Sequence, residues 1–176
     1  MRIESTGAVR RKEAQIDFIE MIASPQIIHE DSFWNDRGDP LYDQAYEPNR
    51  LQARIDMLLR VGILKKYNQG PVSKTISKGT ICYILQYKQV KGLIYSILPP
   101  SEWGFESLLR TGDESFLNFI IEEAARKGLA LADGHIAKMG VSLSTPEERD
   151  VFDVLGLEWV EPQKRIHKRS EEIGIF

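Results

Sequence analysis

Lysines without acidic neighbours are the first residues in this sequence whose type and spacing could do chemistry. No acidic residue occurs between Asp56 and Glu102. The same stretch holds several lysines, among them Lys74, Lys78, Lys88 and Lys91. In a chain with a formal net charge of −3, segregated lysines are typical of a surface that follows phosphate groups. A solvated hairpin surface is the alternative, and the charge pattern leaves both interpretations open.

Cysteine and histidine content argues against a structural metal site. The single cysteine, Cys82, excludes an internal disulfide framework and a cysteine-only zinc site. Three scattered histidines have no cysteine close by, so we expect no metal and no cofactor of this kind. The charged N-terminal residues predict no signal peptide. No apolar stretch approaches the roughly 20 residues of a membrane span, and we therefore expect a cytoplasmic protein without a membrane partner.

Hydrophobic periodicity predicts one early helix and several strands before residue 100. Over residues 49–62, four aliphatic side chains share one helical face, with Asn49 as the N-cap and Gly62 as the stop. Segments rich in β-branched and aromatic residues follow and predict successive strands. These segments are GILKKYN, KGTICYILQYKQ and KGLIYSILPP.

From residue 101 onward the pattern becomes helical. A first run stops at a corner formed by Thr111 and Gly112, and Asp113 begins a second run. The remaining predicted boundaries are Gly128 as the stop of the second helix, Thr145 as the N-cap of a third and Gly156 as its stop.

The order of these elements predicts an α+β fold in two lobes. Residues 1–100 are expected to form a mixed or antiparallel sheet with helices. Residues 101–165 are expected to form a smaller lobe of helices and strands, and residues 166–176 a C-terminal tail.

Four motifs, taken in order, resemble the family X DNA polymerases, the nucleotidyltransferase group of DNA polymerase beta, and most of all its short phage-encoded members. The motifs are TGAVRRKEAQIDFI, SKGTICYILQY with GLIYSI, ILPPSEWGFESLLRTGDESF and STPEERDVFDVLGLEWVEPQKR. They are similar, respectively, to the family's Gly-Ser-x-Arg-Arg motif with its carboxylate strand, its paired palm strands, its entry into the thumb and its C-terminal signature. The resemblance implies a nucleotidyltransferase-like palm and a thumb, with no counterpart of the family's lyase and fingers regions.

The resemblance also implies a set of binding residues. Those at the positions of the family's nucleotide site are Gly7, Arg10, Arg11, Arg110, Thr111 and Gly112. Ala8 replaces the serine of the phosphate-binding motif. The lysines of the acid-free stretch would then contact DNA or RNA.

The carboxylates depart from the family's pattern. The resemblance implies three acids that hold two divalent cations for phosphoryl transfer. Asp17 is the residual catalytic candidate, but its partner would be Gln15 or Ile19, according to register. Counting back from the prolines puts the third position at Ile94. The sequence therefore favours a degenerate centre, with Mg²⁺ or Mn²⁺ required only if the protein is active.

Three functions stay open at this point. The first is a degenerate nucleotidyltransferase that binds nucleic acid or protein, within phage DNA replication or repair and hence in the cytoplasm of a bacterial host. The second is a minimal polymerase that uses Asp17 with Glu13 or Glu20. The third is a structural subunit. Whether the chain is an enzyme is left undecided.

The C-terminal tail ends on three apolar residues, Ile173, Ile175 and Phe176. Their spacing resembles the short peptide by which bacterial replication proteins bind the sliding clamp, with Glu172 in place of its usual glutamine. Such a peptide would bury its apolar side chains in a hydrophobic groove of the partner. The alternative is that the tail folds back on the protein's own core.

Overall fold

A mixed β-sheet followed by a group of helices and a small second sheet forms the part of the chain that the structure describes. The computed structural model describes residues 1–25, 50–67, 72–77, 80–97, 100–132 and 134–165. The α+β fold expected from the sequence is confirmed. None of the helices in these ranges is long and apolar enough to cross a membrane.

Among the described residues, two short β-α units come first, followed by four strands, two helices, three strands and a last helix. The helices are α1 (Gly7–Arg11), α2 (Arg50–Arg60), α3 (Trp103–Thr111), α4 (Glu114–Arg126) and α5 (Glu148–Leu155). The strands are β1 (Arg2–Ser5), β2 (Ile19–Ser24), β3 (Lys65–Lys66), β4 (Ser73–Ser77), β5 (Thr80–Tyr87), β6 (Val90–Ile97), β7 (Leu129–Ala132), β8 (His135–Lys138) and β9 (Val141–Leu143). Short 3₁₀ turns occupy Pro100–Glu102 and Pro162–Lys164.

The larger sheet has the strand order β1-β2-β6-β5-β3, and β4 pairs with the other half of β5. The central pair, β2 and β6, is parallel, whereas the other neighbours are antiparallel. In the register of the central pair, Glu20 lies opposite Leu93 and Ile22 lies opposite Tyr95. Because successive side chains of a strand point to opposite faces, these pairs define which residues share a face.

The two faces of this sheet are packed differently. On the face covered by α2, here called the α2 face, Leu51 and Ile55 of the helix are buried against the sheet. The sheet residues buried there are Ala23, Tyr83 and Leu85. On the opposite face, here called the α3 face, Trp103 at the start of α3 packs on the sheet. The sheet residues buried there are Ile22, Cys82, Tyr95 and Ile97.

Helix α3 also belongs to a second core. Two residues after Trp103, Phe105 packs into a separate apolar cluster together with Leu108. The cluster is completed by residues of α4, α5 and β8, chiefly Phe116, Ile120, Ile136, Val151, Phe152 and Leu155. A three-stranded antiparallel sheet, β7-β8-β9, covers one side of it. Helix α3 thereby joins the two apolar cores.

Most of the predicted helix ends are confirmed, and one is wrong. Asp113 caps α4 by accepting a hydrogen bond from the Phe116 N–H at 2.8 Å, and Gly156 ends α5 in the left-handed conformation. The N-cap of α5 is Glu147 rather than Thr145. The Thr145 backbone instead donates to the Ser101 carbonyl at 2.8 Å and accepts from the Gly104 N–H at 2.7 Å. These bonds hold Thr145 against the start of α3. The predicted cap Asn49 lies outside the described residues.

Candidate functional site

Glu148 is a buried carboxylate shared by two arginines. Arg10 of α1 donates to its Oε1 and Oε2 at 2.9 and 2.7 Å. Arg165 donates to the same oxygens at 2.6 and 3.3 Å. Arg10 also donates to the hydroxyls of Ser107 and Thr111 at 2.9 and 3.0 Å. This carboxylate therefore connects α1, α3, α5 and the end of the described chain.

Arg165 is fully buried. Its guanidinium lies 4.8 Å from the centre of the Trp159 ring, and its Nε donates to the Val160 carbonyl at 2.9 Å. Burial lowers the pKa of Arg165 below its ordinary value, and the hydrogen bonds that it donates to Glu148 oppose that shift. A guanidinium keeps its charge in proteins, so the carboxylate and the aromatic ring compensate a charge that water cannot reach.

Arg11 is also engaged with the protein. Its Nη1 donates to the Thr111 carbonyl at 2.6 Å, and its Nε donates to Glu13 at 2.6 Å. The Thr111 hydroxyl and carbonyl thus receive Arg10 and Arg11 respectively. The structure brings together three residues predicted to contact a nucleotide, but through bonds to one another and to nearby carboxylates.

Gly7 and Glu20 lie in direct contact at the start of α1. Gly7 has a φ of +57°, and a Cβ there would lie 2.6 Å from the Glu20 Oε1. A side chain at this position would be both strained and obstructed. Burial raises the pKa of Glu20 above its ordinary value, whereas the charges of Arg11 and Arg110 lower it. Glu20 is therefore a half-buried carboxylate within the field of two guanidinium groups.

Arg110 covers Tyr95 on the α3 face. Its guanidinium lies 4.4 Å from the centre of the Tyr95 ring and forms an ion pair with Glu106 at 3.0 Å. Glu106 is fully buried and accepts a hydrogen bond from the Thr80 hydroxyl at 3.1 Å. Burial raises the pKa of Tyr95 to about 12. Arg110 is thus fixed over the sheet by both a carboxylate and a ring.

Gly112 ends α3 with an ordinary φ of −66°. Its N–H donates to the Leu108 carbonyl at 2.9 Å. A Cβ at this position would lie 2.7 Å from Cδ1 of Phe116 and 3.0 Å from Cδ2 of Leu117. A glycine is required here because the backbone of residue 112 lies close to side chains of the first turn of α4. This close approach allows the tight corner between α3 and α4.

The positions expected to hold the metal-binding carboxylates lie in the segment before β2 and on the α2 face of the sheet. Gln15 and Asp17 lie in the exposed segment before β2, outside any strand. Ile94 pairs with Met21 and packs against the buried cluster of the α2 face. On the α3 face, the residues that neighbour Glu20 and Ile22 across the sheet are Leu93 and Tyr95. The count that placed the third carboxylate at Ile94 therefore selected a residue on the opposite face from Glu20.

These residues do not fit a pair of divalent cations. Two such ions need several anionic oxygens around them, and on β2 and β6 the α3 face offers only the Glu20 carboxylate. Within the described ranges, no group of three or more His, Cys, Asp or Glu side chains could hold a metal ion. The geometry supports no metal-dependent step at this face.

Three lysines from three different strands reach the α3 face. Lys74 pairs with Cys82, which pairs with Tyr95, and these residues form one cross-strand row. Lys65 and Lys91 both pair with Gln86 and form a second row. Between the rows lie Ile84 and Leu93, which are half-buried. Lys66, next to Lys65, pairs with Leu85 and points to the α2 face.

The other predicted contact residues have separate placements. Lys88 is exposed in the turn between β5 and β6, with a φ of 54°. Lys78 and the apolar tail residues Ile173, Ile175 and Phe176 lie outside the described residues.

An ion pair between β1 and the start of α5 was not expected from the sequence. Arg2 of β1 donates to both oxygens of Glu147 at 2.7 and 2.8 Å and stacks 4.4 Å above the Trp103 ring. In the sequence, Glu147 and Glu148 are distinguished only as part of the motif STPEERDVFDVLGLEWVEPQKR. Their separate arginine partners lie far away in sequence, and no local pattern indicates them.

Comparison with known proteins identifies the C-terminal part of this arrangement. Residues 107–166 match the family model of the DNA polymerase beta thumb. The match supports a relationship to the family X DNA polymerases. The matched residues include Glu148, which accepts hydrogen bonds from Arg10 and Arg165. They also include Thr111, whose hydroxyl accepts a hydrogen bond from Arg10. No curated protein matches the chain.

Proposed function

We propose that this protein is a family X polymerase-like nucleic-acid-binding protein whose catalytic centre is degenerate. The observation that carries the proposal is the composition of the α3 face. Lys65, Lys74 and Lys91 reach it from three strands, and no acid occurs from residue 57 to residue 101. A surface of this kind attracts a polyanion.

Loss of catalysis is supported by the same face. Phosphoryl transfer by two metal ions requires clustered carboxylates, whereas Glu20 has Leu93 and Tyr95 as its neighbours on the adjacent strand. Arg10 and Arg11, which the family resemblance assigns to phosphate binding, bond to Glu148 and Glu13. A triphosphate would have to displace these protein acceptors.

The biological setting belongs to the same proposal. The match to a DNA polymerase beta thumb supports a role alongside DNA replication or repair, and the resemblance to short phage members suggests a phage-encoded subunit in a bacterial host. The tail residues Ile173, Ile175 and Phe176 are proposed to bind a partner protein such as a sliding clamp.

Lys65 and Lys66 point to opposite faces of the sheet, and substituting each in turn tests the binding surface. Lys65→Glu should weaken oligonucleotide binding by about tenfold or more and should reduce its dependence on salt, because one phosphate contact and its released counterion are lost. Lys66→Glu makes the same charge change on the other face and should have little effect. Equal effects of the two substitutions, or no binding by the wild type at low salt, would contradict a specific surface.

Catalysis is tested by incubating the protein with a primed template, nucleotides and Mg²⁺ or Mn²⁺. We expect no primer extension. Extension that disappears in Asp17→Asn or Glu20→Gln would instead establish the alternative, a minimal polymerase that uses these acids.

A further inference from the structure

We propose that the nucleic acid bound on the α3 face is a single strand, whose bases lie against an apolar strip with Lys74 on one side and Lys65 and Lys91 on the other. This inference rests on the proposed nucleic-acid-binding function and specifies its ligand. It depends on the order of side chains across the sheet.

The spacing of the rows sets the geometry. Lys74 belongs to the row of Cys82, and Lys65 and Lys91 belong to the row of Gln86. These rows are four residues apart on β5, which is about 13 Å at the usual rise of a strand. The space between them is occupied by Ile84 and Leu93. On β5 and β6 the face is therefore apolar between the lysines, and Glu20 of β2 ends this middle row beside Leu93.

An apolar strip suits exposed bases. A duplex turns its base faces inward and presents phosphates, sugars and the edges of its bases. A single strand presents phosphates and unstacked base faces together, and proteins bind it through cationic grooves combined with side chains on which bases stack. A strand laid across this face could place its phosphates on the lysines and its bases on Ile84 and Leu93.

Two aromatic rings lie beside Lys91. Phe18 and Tyr67 are half-buried and meet edge to face, with 5.4 Å between their centres. The Lys91 Nζ lies 5.4 Å from the first ring and 5.3 Å from the second. A cation fixed beside two rings offers a phosphate contact next to a stacking surface. Every base has a π-face, so this recognition is independent of sequence.

The test compares two labelled probes by fluorescence anisotropy: an oligothymidine strand, and a hairpin duplex with the same number of phosphates. We expect the wild type to bind the single strand at least tenfold more tightly. Phe18→Leu and Tyr67→Leu retain apolar volume but remove the rings, and each should weaken single-strand binding about tenfold, since 1.4 kcal/mol corresponds to a factor of ten. The salt dependence should not change, because no charge is removed.

The control is Phe119→Leu, which removes a half-buried ring from α4 that packs on the C-terminal core, and should leave both affinities unchanged. Equal or tighter binding of the duplex would overturn the single-strand inference while leaving the proposed function intact. Loss of binding in Lys65→Glu without any effect of the two ring substitutions would overturn it as well. Failure to bind either probe would overturn the proposed function itself.

Discussion

Glu147 and Glu148 are adjacent residues in very different surroundings. The Glu147 side chain is 60% exposed and pairs with Arg2. The Glu148 side chain is 6% exposed and pairs with Arg10 and Arg165. Exposed ion pairs contribute little to stability, whereas removing one partner of a buried pair leaves a charge without compensation. Glu147 and Glu148 should therefore differ greatly in how much their removal lowers the free energy of unfolding.

Glu148→Gln should lower the free energy of unfolding by about 3–5 kcal/mol, because two arginines lose their shared carboxylate and one of them is fully buried. Glu147→Gln is the matched control and should cost at most about 1 kcal/mol. Urea denaturation of both variants measures the difference. Similar losses in the two variants would mean that the buried carboxylate has no special role.

Glu20 should make stability depend on pH. Its folded pKa is raised above the ordinary value of 4.5, chiefly by burial. The folded state therefore binds this proton more tightly than the unfolded state does, and stability from this group is lost as the pH rises through the folded pKa. We expect Glu20→Gln to be more stable than the wild type at pH 7, with the difference vanishing below about pH 4.5. Thermal melts across this range test the sign; a less stable Glu20→Gln protein at pH 7 would contradict it.

At the scale of the element, α3 contributes buried residues both to the core on the α3 face and to the C-terminal core. Trp103 fills the α3 face of the sheet, and Phe105 begins the C-terminal cluster. The helix approaches the chain before α5 so closely that a Cβ on Gly104 would lie 2.1 Å from the Glu147 carbonyl oxygen. That contact involves backbone, which cannot rotate out of the way as a side chain can.

Gly104→Ala should therefore destabilise the protein by about 2–3 kcal/mol through overpacking. Gly92→Ala serves as the control, because the nearest atom to a Cβ there is the Ile19 carbonyl oxygen at 3.8 Å. That substitution should be neutral or slightly stabilising, since alanine loses less backbone entropy in a strand. Chemical denaturation of the two variants compares them directly, and an unaffected Gly104→Ala protein would show that the chain before α5 can yield.

Local elements of this protein were predictable, and long-range relations were not. Asp113 begins α4 and Gly156 ends α5 through bonds within a few residues, so the sequence indicates both. Thr145 was expected as an N-cap, but it bonds with Ser101 and Gly104, more than 40 residues earlier. Counting along the sequence puts the third carboxylate position at Ile94 but does not indicate its face, because a shift of one residue exchanges the faces of a strand. The shared carboxylate at Glu148 depends on arginines at positions 10 and 165, which only the tertiary fold brings together.

At the scale of the whole molecule, the proposed division at residue 100 crosses a shared core. Ile22 and Ile97 are fully buried, and both belong to the cluster that Trp103 completes. Sequence position alone suggests a lobe that could exist separately. The packing makes that lobe depend on a residue that follows the boundary.

A fragment of residues 1–100 should therefore fail to fold cooperatively, because loss of Trp103 exposes an apolar surface that the sheet cannot cover. We expect weak near-ultraviolet circular dichroism and binding of a hydrophobic dye. The full-length chain provides the reference. A sharp unfolding transition of the fragment would demonstrate an independent domain.

The parallel pairing of β2 with β6 also determines when the protein can fold. Glu20 meets Leu93 across this pair, so β2 has no central partner until the ribosome has synthesised β6. The bond from Arg2 to Glu147 spans 145 positions and closes an even longer loop, whose entropy must be lost before the contact forms. Arg2 should consequently join late, after the rate-limiting step. In stopped-flow experiments we expect Arg2→Ala to unfold faster and to refold at the wild-type rate; slower refolding would place this contact in the nucleus. A residue synthesised 145 positions before its partner would then be among the last to find its place.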